Sequence, residues 1–325
     1  MASGPVPFEA FMAEALYGSS GFYTGGGRAG RRGDFLTSPE VGPLFGAVIA
    51  NYIDAEWSRL GRPDTFVVHE VGAGPGTLAR SVLAAGPECR DALDYVAVEI
   101  SAEQRASHPD GIRSRAALPE GRLEGLVIAN ELLDNIPFRL VVNDGGWREA
   151  FVDAEGQEVL SAAFEPPPRV LPGGASLGAR APLVDGAGRF VTDTLERLSG
   201  ALLALDYFVA TTAELAGRPW REWLRTYAGH ERGDHYLSRP GTQDITCEVP
   251  LDQLPEPDSV RTQAQWLRLY GIDELVAEGR SYWEAHASAP DVTALRMRSR
   301  VSEAEALTDV SGLGSFMVAE WRGRV

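Results

Sequence analysis

Apolar residues recur along this chain with two periods, one helical and one extended. Phe8, Phe11, Met12, Ala15 and Leu16 fall at i, i+3, i+4, i+7 and i+8, which predicts a helix from Pro7 to Tyr17. A second helical stripe runs from Val41 through Leu44, Phe45, Val48, Ile49 and Tyr52 to Trp57. Pro39 restrains Ser38 to extended backbone, so Ser38 is its expected N-cap and Glu40 a first-turn acid. Phe66–Val71 and Asp94–Ser101 read as strands, and residues 77–83 as a helix after the first of them. Leu126–Ala129 and Ala201–Leu205 are continuous apolar runs, as expected of strands buried on both faces of a parallel sheet. Residues 189–198 are predicted helical, with Gly200 as C-cap.

Other runs have antiparallel character. Residues 138–142 and 147–152 flank Asn143-Asp144-Gly145-Gly146, a hairpin signal, and 159–164 extends it. Residues 166–188 are turn-rich and predict little regular structure. Residues 244–249 read as a strand with Asp244 and Thr246 on one face. Residues 263–270 read as a helix ending at Gly271, and 316–321 as an alternating strand that closes the sheet's edge. The fold class is therefore α/β, with a mainly parallel sheet and helices on both faces. One elaborated domain is expected: an N-terminal helical and loop extension (1–62), a nucleotide-binding half (63–137), a β-rich insertion (138–190) and a C-terminal half (191–325).

Composition narrows the functional classes. The net charge of −16 opposes sequence-independent nucleic-acid binding, which needs clustered cations, and suits a cationic substrate. The sequence contains no lysine, so all 30 basic residues are arginine, a usage that reflects codon bias. Cys89 and Cys247 make no disulfide framework, and no C-x-x-C or H-x-x-x-H pair suggests a metal. No apolar run reaches membrane-spanning length and no targeting peptide is visible, so the expected location is the cytoplasm.

The most informative stretch is Phe66 to Leu83, where a strand passes Glu70, crosses Gly72-Ala73-Gly74-Pro75-Gly76 and enters a helix. The spacing is G-x-G-x-G, whereas a pyrophosphate fingerprint reads G-x-G-x-x-G. A carboxylate at Glu70 would repel a pyrophosphate but can accept from an ammonium group. Glu99 ends the next strand, 23 residues beyond Gly76, where an acid can take a ribose diol. An ammonium, a ribose and no phosphate describe S-adenosylmethionine (SAM), and the loop resembles motif I of class I SAM-dependent methyltransferases.

Further blocks carry a more specific resemblance. Ala15-Leu16-Tyr17 with Gly21-Phe22-Tyr23, and Gly33-Asp34-Phe35-Leu36-Thr37-Ser38-Pro39-Glu40 with Phe45-Gly46, look like the start of the MidA family of class I methyltransferases. Asn130-Glu131-Leu132-Leu133-Asp134-Asn135-Ile136-Pro137 resembles its N-E-x-x-D-x-x-P signature. Leu205-Asp206-Tyr207, Arg225-Thr226-Tyr227 with His230, and Pro240 to Thr246 resemble its C-terminal blocks. Phe208 stands where that family usually has glycine, and residues 211–221 depart from its pattern.

The resemblance implies a Rossmann-like methyltransferase fold, SAM as cofactor, and N-methylation of an arginine in a partner protein, with a respiratory-complex subunit as the candidate. The resembled family includes an arginine methyltransferase of mitochondrial complex I assembly. For the cofactor it implies Thr37, Glu70, Gly72, Ala73, Gly74, Gly76, Glu99, Ile100 and Asn130; for catalysis, Asn130, Glu131 and Asp134. Asp34, Glu40, Asp206, His230 and Asp244 are the substrate-side candidates. Paired carboxylates suit a guanidinium, whose planar donors they bind bidentately. Capping is the competing reading for Glu40, Glu99, Asn130, Glu131, Asp134 and Asp206, and an incidental loop position is that for His230. Two other functions remain open: a small-molecule O- or N-methyltransferase, and a SAM-binding assembly factor with little turnover.

Overall fold

The computed structural model describes residues 4–24, 37–229 and 231–323, so Asp34 and His230 lie outside the described residues. The chain groups into two compact units. One comprises residues 36–130, 197–205 and 257–325; the other comprises 1–35, 131–196 and 206–256.

The first unit is built on a seven-stranded sheet. Its order is Ser259–Thr262, Met317–Arg322, Leu198–Asp206, Leu123–Asn130, Phe66–Val71, Leu93–Val98 and Arg113–Arg115. The last five run parallel, and Ser259–Thr262 pairs antiparallel with Met317–Arg322. The Val, Ile, Leu and Ala content of the inner strands fits burial on both faces. One face packs Val68, Leu126, Ile128 and Leu203 against Leu44, Phe45, Val48, Leu78 and Val82 of the helices Pro43–Arg59 and Thr77–Ala85. Met317–Arg322 is not the edge, because Ser259–Thr262 covers it.

The second helical stripe is interrupted. Pro43 has no N–H to donate and disfavours helical backbone at Gly42, so the chain forms Ser38–Val41 and then Pro43–Arg59. Thr37 occupies the N-cap position without a side-chain bond, while Ser38 Oγ donates to Gln263 Oε1 at 2.8 Å. The longer helix is capped from a distance: Glu303 Oε2 accepts from the Leu44 amide at 2.9 Å.

Gly200 is likewise not a C-cap. It lies inside Leu198–Asp206, in register with Gly125, and a Cβ on it would stand 1.7 Å from Gly125 O. Its φ of +152° adds strain to any side chain there. A Gly200→Ala variant is expected to lose about 1–3 kcal/mol of stability through overpacking. Gly173, with nothing near its would-be Cβ, should tolerate alanine. Thermal denaturation of the two variants checks this; equal melting temperatures would contradict it.

The second unit contains the insertion. Arg139–Asn143 and Trp147–Val152 form the expected hairpin, with Glu158–Ala163 added to Trp147–Val152. Two strands not foreseen complete this sheet: Val6–Pro7 pairs with Trp147–Val152, and Arg180–Leu183 with Arg139–Asn143. The turn-rich 166–188 segment therefore ends in regular structure. A second, three-stranded sheet places Leu224–Ala228 between Glu231–Arg232 and Asp244–Cys247. Its register aligns Tyr227 with Asp244 and Arg225 with Thr246. Phe208 is buried, and Phe208–Val209 pairs parallel with Val249–Pro250.

Candidate active site

In the first unit, the glycine-rich turn leaves the Phe66–Val71 strand and enters Thr77–Ala85. Gly72, Gly74 and Gly76 have φ of +73°, +53° and +79°, backbone that other residues adopt only with strain. The turn is fixed at three atoms. The Gly74 amide donates to Glu99 Oε2 at 3.0 Å, and Arg80 donates to Pro75 O at 2.7 Å. Gly74 O lies 2.9 Å from His108 Nε2; a carbonyl only accepts, so that nitrogen carries the proton and His108 Nδ1 accepts from Ser114 Oγ, also at 2.9 Å. Glu40 belongs to the same neighbourhood, since its Oε1 accepts from Thr77 Oγ1 at 2.7 Å. It sits at the start of the helix that follows the glycine turn.

Glu99 is held by both oxygens, with Oε1 accepting from the Ser101 amide at 2.7 Å. Its remaining lone pairs suit a diol. Beside it, Ile100 is 56% exposed, an apolar side chain left bare at the rim of the turn. Glu70 is buried and accepts from Tyr95 OH at 2.8 Å. Burial pushes its carboxyl up to about 8, against the opposing effects of the Tyr95 hydroxyl and Arg80, and the Glu99 charge adds to the rise. Ala73 and Thr37 are buried. A buried acid awaiting a cation, a fixed acid for a diol, a bare aliphatic side chain and a turn that only glycine makes without strain fit SAM and disfavour a pyrophosphate.

Asn130 closes the Leu123–Asn130 strand. Ala129 pairs with Val71, so Asn130 stands one residue beyond that row, as Gly72 does on its own strand. Glu131, the next residue in the chain, begins the second unit's acidic cluster. It is one of three described non-glycine residues with positive φ, at +49°, and is half-buried. Tyr207 OH donates to its Oε2 at 3.1 Å. Asp134 is buried; its Oδ2 accepts from Thr246 Oγ1, and its Oδ1 has no partner among the described residues. Asp244 Oδ1 accepts from Tyr23 OH at 3.1 Å and from Asn135 Nδ2 at 3.0 Å. Burial pushes Asp134 up to about 6 and Asp244 up to about 7, the latter helped by the Asp134 charge.

Asp206 resolves in favour of capping. It is fully buried, its Oδ2 accepts from the Leu133 amide at 2.8 Å and the Leu132 amide at 3.2 Å, and its Oδ1 accepts from the Tyr207 amide at 2.8 Å. It therefore shapes the turn that presents Glu131 instead of meeting a substrate. Tyr207, Tyr23, Asn135 and Thr246 complete the cluster and were not singled out as site residues. All four lie in the sequence blocks named above, and Thr246 was also marked by its alternation with Asp244.

Comparison with known proteins bears on the family. A family model described as an S-adenosyl-L-methionine-dependent methyltransferase matches residues 48–269, more than half of the chain. The mitochondrial protein arginine methyltransferase NDUFAF7 homolog of Drosophila melanogaster is 27% identical over 296 residues, covering 77% of this chain and 65% of that protein. Mus musculus NDUFAF7 is 26% identical over 297 residues, covering 78% of this chain and 66% of its own. The chain thus spans just under two thirds of these relatives' length. A crystal structure from Burkholderia thailandensis bound to S-adenosyl-homocysteine is 29% identical with a TM-score of 0.82, covering 98% of this chain and 88% of that one. With a family model matched from Val48 to Leu269 around a turn built for SAM, the chain belongs to the S-adenosyl-L-methionine-dependent methyltransferases.

Proposed function

We propose that the protein methylates a guanidinium nitrogen of an arginine in a partner protein. The observation that carries this reading is Glu131, an acid in left-handed backbone at the end of a buried strand. That conformation costs about 1–3 kcal/mol and persists where the surroundings fix it for a purpose. Supporting it are the acids behind Glu131, which give the acceptor side of the chain a negative field matched to a cation.

SAM, when bound, supplies the methyl group on its sulfonium. Glu70 would pair with its ammonium, Glu99 with its ribose, and Asn130 with the methionine end, against a glycine turn whose own amides are held by Val98, Ala73 and Glu99. Ile100 would cover one face of the adenine. On the acceptor side, Glu131 takes two guanidinium N–H groups, which fixes the plane of the group and aims one nitrogen. Tyr207 fixes the carboxylate in turn. Asp134 and Asp244 protonate near neutral pH, so one of them can take the proton that the methylated nitrogen sheds. The rate should therefore rise as pH passes through about 6 to 7, the range in which these carboxyls ionise.

The relatives' names support a protein substrate, and a respiratory-complex subunit is the candidate drawn from the family resemblance. Calorimetry with N-acetylarginine amide and N-acetyllysine amide, in the presence of S-adenosyl-homocysteine, tests the acceptor class. Arginine should bind and lysine should bind at least several-fold more weakly; equal affinities would remove the guanidinium from the proposal. An Ile100→Ser variant should weaken SAM binding about fivefold, the worth of roughly 1 kcal/mol of lost apolar contact. An unchanged Kd would place the adenine elsewhere.

A further inference from the structure

We propose that the sheet face around His69 is a second ligand site, one that takes a small phosphate-type oxyanion, free or as an ester. Along Phe66–Val71 side chains alternate between faces, so His69 points away from the face on which Glu70 meets Tyr95. Register places Val127, His69, Val96 and Arg113 in one row, and Val71, Val98 and Arg115 in the next but one. Arg113 and Arg115 therefore share the His69 face. The connection between Arg113–Arg115 and Leu123–Asn130 contains no helix.

A cavity of about 250 Å³ results, lined by His69, Arg113, Arg115, Pro119, Arg122 and Glu124 over Val67. Three guanidinium groups and one carboxylate thus face a single concavity in a chain of net charge −16. Arg113 is bound by Asp94, and Arg122 lies 3.4 Å from Glu124. Arg115 has no ion pair among the described residues. Planar guanidinium donors match the geometry of a phosphate better than that of a halide.

His69 separates this from an ordinary solvated arginine face. It is only 5% exposed, and its Nδ1 has no hydrogen-bond partner among the described residues. A buried ring nitrogen without a partner is costly unless something supplies one. Burial and the Arg113 and Arg115 charges hold its pKa down at about 4, so the ring is neutral at pH 7 and can donate from Nδ1. A bound oxyanion would neutralise the guanidinium charges that depress the ring, whose Nδ1 is itself closed to solvent.

The test is a histidine NMR titration of the full chain, with the His69 signal assigned by its loss in His69→Gln. Inorganic phosphate at constant ionic strength, made up with sodium chloride, should shift that signal saturably and raise its pKa by at least one unit. Arg115→Ala with Arg122→Ala, both on exposed residues, should weaken phosphate binding at least tenfold and leave SAM affinity within twofold. Glycerol phosphate run in parallel identifies the source: tighter binding than phosphate points to an ester, weaker binding to the free ion. An identical shift with chloride, or unchanged affinity in the double variant, would overturn the proposal.

Discussion

A Glu131→Gln variant is expected to lose about 100-fold or more of its arginine methylation while binding SAM as tightly as the unaltered protein. The substitution keeps the side chain's size and its contact with Tyr207 OH, seen at 3.1 Å. What changes is charge and polarity: a guanidinium that met two acceptor oxygens would meet one oxygen and an N–H that repels it. The substitution leaves the glycine turn, Glu70 and Glu99 unaltered, so cofactor affinity should not follow the rate. Tyr207→Phe, which frees the carboxylate to turn, should cost less, about tenfold. Initial rates and calorimetry on the same preparations separate the two quantities. A rate within threefold of the unaltered protein would take Glu131 out of the reaction.

The second large effect concerns Glu70 and pH. Its carboxyl titrates near 8 because burial disfavours the charged form, so the unliganded protein holds it mainly protonated at pH 7. Pairing with the SAM ammonium requires the carboxylate. Binding should release a proton below pH 8, and affinity should rise by up to tenfold per pH unit before levelling above pH 8. Glu70→Gln should remove that slope and weaken SAM at pH 8.5 by about 30-fold or more, the loss expected for one partner of a buried charged pair.

Stability runs the other way. The folded pKa lies above the ordinary value of 4.5, so the contribution of Glu70 is fully present below about pH 4.5 and is lost as pH rises through 8. Unliganded Glu70→Gln should therefore gain melting temperature relative to the unaltered protein between pH 6 and 8. Proton release measured in buffers of different ionisation enthalpy, together with melting curves, checks both signs. SAM affinity that is flat with pH would show that Glu70 does not meet the ammonium.

Much of the cofactor side was legible because its signals are local. The β-branched run before Gly72, the glycine spacing and the acid ending the next strand each lie within a few residues of what they build. Glu70 was legible as an acid at the strand end, but its burial against Tyr95 was not, since that contact joins two strands. The acceptor side depends on pairings across 70 or more residues, such as Asp206 with the Leu133 amide and Asp134 with Thr246. No periodicity announces these, which is why Asp206 read equally as a site acid and as a cap.

Other errors have the same origin. Apolar spacing carries straight through Gly42-Pro43, so the stripe hid a break that the missing Pro43 N–H enforces. Gly200 follows a helix and therefore read as its cap, whereas its reason is the backbone of Gly125 on the neighbouring strand. Ile272–His286 and Val292–Thr308 were not foreseen because few of their apolar side chains are buried, among them Ile272, Ala294 and Leu307. A thin apolar stripe leaves little signal to read.

The central claim is methyl transfer to a protein arginine, and transfer of label tests it most directly. Purified protein, tritium-methyl SAM and a lysate of the source organism cleared of endogenous SAM should give a discrete labelled protein band. Acid hydrolysis of that band should release labelled methylarginine, and Glu131→Gln should give neither. Label confined to small molecules, or recovered from protein as another methylated residue, would contradict the account.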